Sequence, residues 1–237
     1  NHKPNKNLNL IHKQFRFKVF SNFQNAEFNA DMIFLCVPDS QIDKTAKFIG
    51  AKNEGALLVH CSGSTSIRAL GASNNSAVFY PLQTFSTSST ANWKNIPILI
   101  EGTNEKSLLL IREIASLFSK KIFKINSEER MKIHLAAVFA NNFSNALFQI
   151  AYDIIEENKK LKGNILLPLI EETINKLKHH NPKEVQTGPA KRGDEKVEND
   201  HLKLLTERAE LQKLYNLFSE RIKQNQHHSK KILKKKN

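Results

Sequence analysis

The chain has 237 residues, 40% of them hydrophobic, which is enough to bury a core and form two structural units and is not the composition of a disordered protein. No apolar run approaches the roughly 18 residues of a membrane span, and the first residues lack the apolar segment of a signal peptide. Residues 1–18 and 221–237 contribute twelve of the formal charge of +13, which leaves 24 basic and 23 acidic side chains between them. We therefore expect a nearly neutral globular body.

Cysteine and histidine usage predicts no metal site. Cys36 and Cys61 form no C-x-x-C pair, and the adjacent histidines at 179–180 and 227–228 lack a third partner at ligand spacing. Two free cysteines and no signal for secretion favour a reducing cytoplasm.

Apolar strand-like runs alternate with helical patterns in the first half of the chain. The runs Asp31–Asp39 and Ala56–Ser64 are apolar on both faces, which predicts parallel strands covered on both sides, and the alternation as a whole predicts an open α/β sheet. The predicted strands are Phe15–Ser21, Asp31–Asp39, Ala56–Ser64, Ala77–Phe85, Pro97–Glu101 and 121–126, and the predicted helices are Gln41–Ile49, a short one capped by Ser64 and ending at Leu70, and one from about Asn104.

After Ser127 the patterns predict only helices. A long helix over Glu128–Asn158 is apolar nearly all round, which predicts that it is buried. Further helices are predicted from Leu166 to Lys178, with Pro168 in the first turn, and as a pair between Glu198 and Gln226. The predicted domains are a sheet domain over residues 1–126, a helical domain over 127–226 and a basic disordered tail over 227–237.

One narrow polar stripe interrupts the long helix. Asn141 and Asn145 lie within about 20° of His134 on a helix of 3.6 residues per turn, and Arg130 precedes His134 by one turn on the same side. Buried amides and imidazoles need polar partners. The stripe therefore indicates either hydrogen bonds between helices or one wall of an active site.

Polar residues also follow the predicted strands. In open α/β sheets ligands bind beyond the carboxyl ends of the strands, which places Val37–Asp39, His60–Gly63 and Pro81–Thr84 on one rim. Because Gly63 has no side chain, a ligand could approach its backbone closely. A nucleophile activated within His60-Cys61-Ser62 is disfavoured, because neighbouring strand residues point to opposite faces.

The segment Gln186–Asp194 (QTGPAKRGD) is the other unusual stretch. It is either a plain connector, since its residues are common in turns, or a rigid loop that presents Arg192 to a carboxylate.

Five motifs in this order resemble those of a bacterial family of NADP-dependent oxidoreductases. The motifs are VPDSQI, HCSGS, VFYPLQTFS, HLAAVFANNFSNAL and QTGPAKRGD. Members of that family have a Rossmann-like domain followed by a helical domain of unknown function, number 2520, similar to the C-terminal domain of 6-phosphogluconate dehydrogenase. They are related to pyrroline-5-carboxylate, ketopantoate and 3-hydroxyisobutyrate reductases or dehydrogenases. The resemblance covers residues 31–222.

The resemblance implies an incomplete Rossmann-like sheet domain that binds NADP, or alternatively NAD, and a helical domain through which the chain forms a homodimer. It implies that a small-molecule substrate binds in the cleft between them. The residues it places along the cofactor are Val37, Pro38, Asp39, Ser62 and Gly63. It places His134, Asn141, Asn142 and Arg192 at the catalytic centre, and Gln83, Gly188, Pro189 and Asp194 around the substrate. The residues that would close the site, from the same subunit or from a partner, are Gly188, Pro189, Arg192 and Asp194.

The chain departs from this family in its glycines. The eight glycines contain no G-x-G-x-x-G pattern, and Ser21-Asn22 stands where Ser-Arg often binds the 2′-phosphate. The segment Phe15–Ser21 resembles the family's second strand. We therefore expect either a fragment or a form that has lost nucleotide binding.

Three hypotheses follow for function. The first is an oxidoreductase that transfers hydride to or from a small carbonyl, imine or hydroxy acid, with His134 as the proton donor or acceptor. The second is a non-catalytic dimeric binding module. The third is a nucleic-acid-associated protein that uses Lys230–Lys236, although a Lys-rich end is most often only a solvated tail. We expect neither a membrane nor a nucleic acid as partner.

Overall fold

The computed structural model describes residues 30–71, 75–85 and 91–234, with side chains as far as residue 225. The predicted strand Phe15–Ser21 lies outside this part. The chain divides into two compact units, Asn1–Leu147 and Phe148–Asn237. The predicted fold class is confirmed, because a five-stranded α/β sheet comes first and every described element after Lys124 is helical. The domain boundary near Asn126 stays a prediction, since the first compact unit continues to Leu147.

The sheet has the order β1-β2-β3-β4-β5 and is mixed. Its β3–β4 pair is antiparallel and the other three pairs are parallel. The parallel pairing predicted for the runs Asp31–Asp39 and Ala56–Ser64 is confirmed, because the first two strands are parallel neighbours. Parallel neighbours need a long crossover, whereas antiparallel neighbours can be joined by a loop. The strands are β1 (Met32–Leu35), β2 (Leu57–His60), β3 (Ser76–Pro81), β4 (Ile98–Gly102) and β5 (Ile122–Lys124).

Two helices cover opposite faces of the sheet, as the apolar runs predicted. Helix α1 (Ile42–Gly50) packs with Leu35 and Leu58 on one face, and helix α2 (Glu105–Phe118) packs with Val59 on the other. Asn104 caps α2 by accepting the Ser107 N–H at 2.8 Å.

A 3-10 helix occupies Ile67–Leu70, where the sequence predicted a short helix. Its cap is Ser66 and not Ser64, because Ser64 bonds across the sheet edge instead. Two further 3-10 helices, Asp39–Gln41 and Trp93–Asn95, follow β1 and precede β4.

The predicted long helix is three consecutive segments. Helix α3 (Ser127–Ala137) is followed by a π-helical turn (Val138–Phe143) and by helix α4 (Ser144–Glu156). The prediction that it is buried is wrong for the single chain, because Leu135 and Phe139 are 55% and 61% exposed. Its apolar surface therefore lacks a partner within the described part of one chain.

The remaining helices are short except for the last. Helix α5 begins with Pro168 in its first turn, as predicted. The end predicted for the last helix at Gln226 is wrong, since α9 continues to Lys234 through a segment without Gly or Pro. The elements are a 3-10 helix (Gly163–Leu166), α5 (Leu167–Leu177), α6 (Pro182–Val185), α7 (Pro189–Arg192), α8 (Glu195–Leu204) and α9 (Ala209–Lys234). Among the described residues, no helix combines the length and apolar character that crossing a membrane would require.

The buried His60 at the end of β2 should make stability depend on pH. Burial, followed by the positive charge of Arg130, lowers the pKa of His60 from 6.5 to about 4. Between pH 4 and pH 6.5, His60 is therefore protonated in the unfolded chain and neutral in the folded chain. The free energy of unfolding is therefore highest above pH 6.5 and falls as the pH drops toward 4, by roughly 2 kcal/mol between pH 7 and pH 5.

Urea unfolding of His60→Gln at pH 7 and pH 5 tests this expectation. The substitution removes the titrating group, so the loss of stability between the two pH values should shrink. The variant His179→Gln, which changes an exposed histidine, should retain the full loss. Equal losses in wild type and His60→Gln would contradict the prediction.

Candidate functional site

The loop after β2 is folded around the hydroxyl of Ser62. This oxygen accepts the backbone N–H groups of Ser64 at 3.1 Å and of Thr65 at 2.9 Å. It also donates to the Asp39 carboxylate at 2.7 Å, and the Ser64 hydroxyl donates to the same carboxylate oxygen at 2.5 Å. Two predicted site residues, Asp39 and Ser62, are thus joined at the carboxyl ends of β1 and β2.

The electrostatics of this loop keep Asp39 ionised. Burial alone would raise the pKa of Asp39, but hydrogen bonds from Ser64, Ser62 and Thr65 and the charge of His60 together lower it below its ordinary value. The exposed carboxylate therefore presents a fixed negative charge and hydrogen-bond acceptor at the rim of the sheet.

Gly63 lies against a tyrosine–histidine pair. The Tyr80 hydroxyl, at the end of β3, is 3.2 Å from Nδ1 of His134 on α3. A Cβ atom at Gly63 would lie 2.7 Å from both His134 Nδ1 and Tyr80 Cζ. Only glycine fits here without displacing one of the two rings.

Tyr80 keeps its proton near neutral pH. Burial raises the pKa of Tyr80; the charge of Arg130 opposes this and that of Asp39 adds to it. The phenol donates to Nδ1 when that nitrogen carries no proton and accepts from Nδ1–H when it does. In either case Nε2 takes no part in this hydrogen bond and is left for a reacting group.

Arg130 anchors the helix that carries His134. Its side chain is 1% exposed and forms an ion pair with Glu101 at the end of β4. It also donates to the Thr65 carbonyl at 2.5 Å and to the Ser127 hydroxyl at 3.2 Å. The Ser127 hydroxyl donates to Glu101 at 2.8 Å. These bonds fix the start of α3 to β4 and to the loop after β2.

The π-helical turn changes the predicted polar stripe. Asn141 and Asn142 lie within this turn and are exposed, and their side chains make no hydrogen bond to the part of the chain that the structure describes. A π-helical turn holds about one residue more than an α-helical turn. The prediction that Asn141 and Asn145 share the direction of His134 is therefore wrong, because it assumed 3.6 residues per turn throughout.

The other predicted site residues make the following contacts within their own units. In the first unit, Val37 packs against the core beside α1, the Pro38 carbonyl accepts the Gln41 N–H at 2.8 Å, and the exposed Gln83 accepts the Thr84 N–H at 2.9 Å.

In the second unit, the segment predicted as a loop contains α7. Gly188 and Gly193 border it with positive φ angles of 105° and 71°, and Pro189 opens it. Asp194 caps α8 by accepting the Val197 N–H at 3.3 Å, which gives it a local structural task. Arg192 is exposed.

Sequence reasoning missed Tyr80, Ser64 and Thr65. Tyr80 lies within the apolar run Ala77–Phe85, whose pattern predicts only a strand. The signal that could have identified it is a hydroxyl-bearing residue at the carboxyl end of that strand, directly after the buried Phe79.

Among the described residues there is no group of three or more His, Cys, Asp or Glu side chains able to hold a metal ion.

Comparison with known proteins places this geometry in a family. Residues 96–222 match the model described as Domain of unknown function (DUF2520). A candidate NADP oxidoreductase from Bacteroides fragilis is 32% identical, with a TM-score of 0.83 over 91% of this chain and 84% of its own. A protein from Thermotoga maritima is 26% identical, with a TM-score of 0.70 over 84% of this chain and 78% of its own.

At lower identity only the fold is shared. A pyrroline-5-carboxylate reductase from Coxiella burnetii is 14% identical, with a TM-score of 0.53 over 95% of this chain and 86% of its own. No curated protein matches the chain.

The close packing of Gly63 against the Tyr80 and His134 rings predicts that a methyl group at position 63 destabilises the fold. Gly63→Ala should lower the free energy of unfolding by about 1–3 kcal/mol, because the new Cβ displaces His134 or Tyr80. It should also shift the His134 imidazole resonances in NMR spectra. Gly50→Ala is the matched control, since its Cβ would meet only Leu58 Cδ1 at 3.9 Å. Unchanged stability and unchanged His134 resonances in Gly63→Ala would contradict the packing described.

Proposed function

Because the chain belongs to the family of the Domain of unknown function (DUF2520), we propose that it is an NADP-dependent oxidoreductase, with NAD as the alternative cofactor. The observation that carries the proposal is the Tyr80–His134 hydrogen bond above Gly63, at the edge of the sheet where ligands of open α/β folds bind. The name of the Bacteroides fragilis relative supports the same activity. Two free cysteines favour a reducing cytoplasm.

The chemistry of the rim fits the sugar end of a nicotinamide cofactor. An ionised carboxylate such as that of Asp39 accepts hydrogen bonds from sugar hydroxyls, and it repels phosphate. Ser62 holds this carboxylate, and Gly63 allows close approach to the backbone. The residues proposed to hold the cofactor are Val37, Pro38, Asp39, Ser62 and Gly63.

The bound cofactor would supply or accept the hydride, and the protein would manage the proton. As an imidazolium, His134 donates its Nε2 proton to a substrate oxygen or nitrogen as the substrate is reduced, and becomes the neutral imidazole; in the reverse direction the neutral ring accepts that proton at Nε2. Tyr80 positions the ring through Nδ1. The substrate class compatible with this chemistry is a small carbonyl, imine or hydroxy acid, which Asn141 and Asn142 orient with their exposed amides.

A second group of residues would bind an acidic substrate. Arg192 is an exposed guanidinium with the planar donor geometry that suits a carboxylate. Gly188 and Pro189 shape the turn that presents it, and the Asp194 cap fixes the start of the next helix. We assign Arg192 to substrate binding, from the same subunit or a partner, and Gln83 to the substrate side of the rim.

The exposed apolar surface of the long helix supports a homodimer. Met131, Leu135, Phe139 and Phe143 recur every four residues from α3 into the π-helical turn and are 44–61% exposed. The Phe139 and Phe143 rings form an edge-to-face pair with centroids 5.0 Å apart. An apolar ridge of this kind is typical of an interaction surface. We assign it to contact with a second copy of the chain.

NADPH oxidation in the presence of small carbonyl, imine and 2-oxo acid compounds tests the catalytic proposal. NADPH should bind with micromolar affinity, about −8 kcal/mol, by calorimetry. His134→Gln should lower kcat by about 100-fold or more without loss of NADPH binding, as expected for a general acid. Tyr80→Phe should lower kcat by about fivefold, because it removes one hydrogen bond worth roughly 1 kcal/mol.

The exposed His179 provides the matched control, and His179→Gln should leave turnover unchanged. Absence of NADPH and NADH binding in the wild type would refute the cofactor assignment and favour a non-catalytic module. Normal turnover in His134→Gln would refute the role of His134 while leaving cofactor binding in place.

The dimer is tested by sedimentation equilibrium. The wild type should have twice the mass of one chain, and Phe139→Asp should shift it to monomer because a carboxylate disrupts an apolar contact. Phe123→Asp, which changes a similarly exposed ring on β5, should remain dimeric. A monomeric wild type, or a Phe139→Asp variant as dimeric as the wild type, would overturn this assignment.

A further inference from the structure

The two cysteines are neighbours at the edge of the sheet. Strands β1 and β2 are parallel and pair Leu35 with His60, so the residues that follow on each strand are Cys36 and Cys61. Neighbouring parallel strands lie roughly 4.7–4.9 Å apart. Disulfides need a Cα separation of roughly 4.4–6.8 Å. A backbone that keeps this spacing one residue beyond the paired Leu35 and His60 lies within the range that a disulfide needs.

Both side chains lie on the same face of the sheet. The hydrophobic cluster between the sheet and α2 includes Val59, Phe79 and Ile111, and Met32 and Cys61 pack against it. The Phe34 ring contacts Phe79 of this cluster, with ring centroids 5.8 Å apart. Alternate residues of a strand share a face. Cys36, two residues after Phe34, therefore faces the same side as Cys61. Both thiols are free, with Cys36 exposed and Cys61 half-buried.

The two thiols differ in acidity. A hydrogen bond with Cys61 lowers the pKa of Cys36 to about 7, although burial raises it. The same contact, together with burial, raises the pKa of Cys61. Near neutral pH the exposed sulfur is thus partly a thiolate, and its half-buried partner keeps its proton. This is the asymmetry expected of an attacking and a resolving cysteine.

We propose that Cys36 and Cys61 form a redox-active dithiol that reduces a hydroperoxide and closes into an intramolecular disulfide. The Cys36 thiolate attacks the terminal oxygen of the peroxide, which cleaves the O–O bond and leaves Cys36 as a sulfenic acid. With hydrogen peroxide, the hydroxide released takes up a proton and becomes water. The Cys61 sulfur then attacks the Cys36 sulfur, an S–S bond forms, and the sulfenic oxygen leaves as a second water. Two thiols lose two electrons and the peroxide gains them.

The disulfide would join two loops of the candidate site. Cys36 directly precedes Val37-Pro38-Asp39, and Cys61 directly precedes Ser62-Gly63. Oxidation therefore adds a covalent bond beside the Asp39–Ser62 hydrogen bond. The dithiol reaction itself uses only the two sulfurs and the peroxide, so it does not depend on the proposed hydride transfer.

The test treats the full chain at low micromolar concentration and pH 7 with equimolar hydrogen peroxide, alkylates the remaining thiols and measures the intact mass. The expected product has lost two hydrogens, carries no alkyl group and yields a Cys36–Cys61 linked peptide. Dithiothreitol should restore both thiols. Two alkylated cysteines after treatment, or a disulfide between chains, would overturn the proposal.

Two matched variants test which sulfur attacks. In Cys61→Ser the reaction should stop at a Cys36 sulfenic acid, which dimedone captures as a covalent adduct. In Cys36→Ser dimedone capture should fall at least tenfold, because Cys61 is half-buried and burial still favours its protonated form. Equal capture in both variants, or stronger capture in Cys36→Ser, would refute the assignment. Circular dichroism identical to the wild type shows that each variant is folded.

Discussion

The candidate site depends on the buried ion pair between Arg130 and Glu101. A buried ion pair adds little net stability, because desolvation of both charges offsets their attraction, but loss of one partner leaves an uncompensated charge. Here the guanidinium also binds the Thr65 carbonyl and the Ser127 hydroxyl, so one side chain joins β4, the loop after β2 and the start of α3. His134 lies one helical turn further on, and its position follows from this anchor.

Around the anchor, the polar groups of the site are arranged in fixed relation to one another. The Ser62 hydroxyl organises its loop and holds Asp39, while Tyr80 holds the imidazole of His134. Gly63 lies between these two arrangements and leaves no room for a side chain. Such preorganisation is what electrostatic and acid–base chemistry requires, because the groups need not reorient during reaction. The exposed amides of Asn141 and Asn142 make no comparable hydrogen bonds to the described residues.

The sequence predicts the sheet elements well and the site in part. Continuous apolar runs located β1 to β4, as expected of strands covered on both faces, and the mixed run KIFKIN located β5. Asn104 and Pro168 marked helix starts through their capping chemistry. The direction of β4 could not be predicted, since its apolar pattern is the same in either orientation. Nor could the Tyr80–His134 contact, which joins residues 54 positions apart through the packing of α3.

The π-helical turn makes the length of its segment as important as its composition. Each residue of an α-helix turns the chain by about 100°. If the segment Val138–Phe143 became an ordinary α-helix without losing a residue, every side chain from Ser144 onward would rotate relative to α3 by about that angle. Loss of one residue within the turn would offset this rotation, because the wide turn holds one residue more than an α-helical turn. A deletion within α3 or α4 has no such compensation and changes which face of the helix all later residues occupy. The wide turn therefore sets the direction in which the side chains of α4 point relative to those of α3.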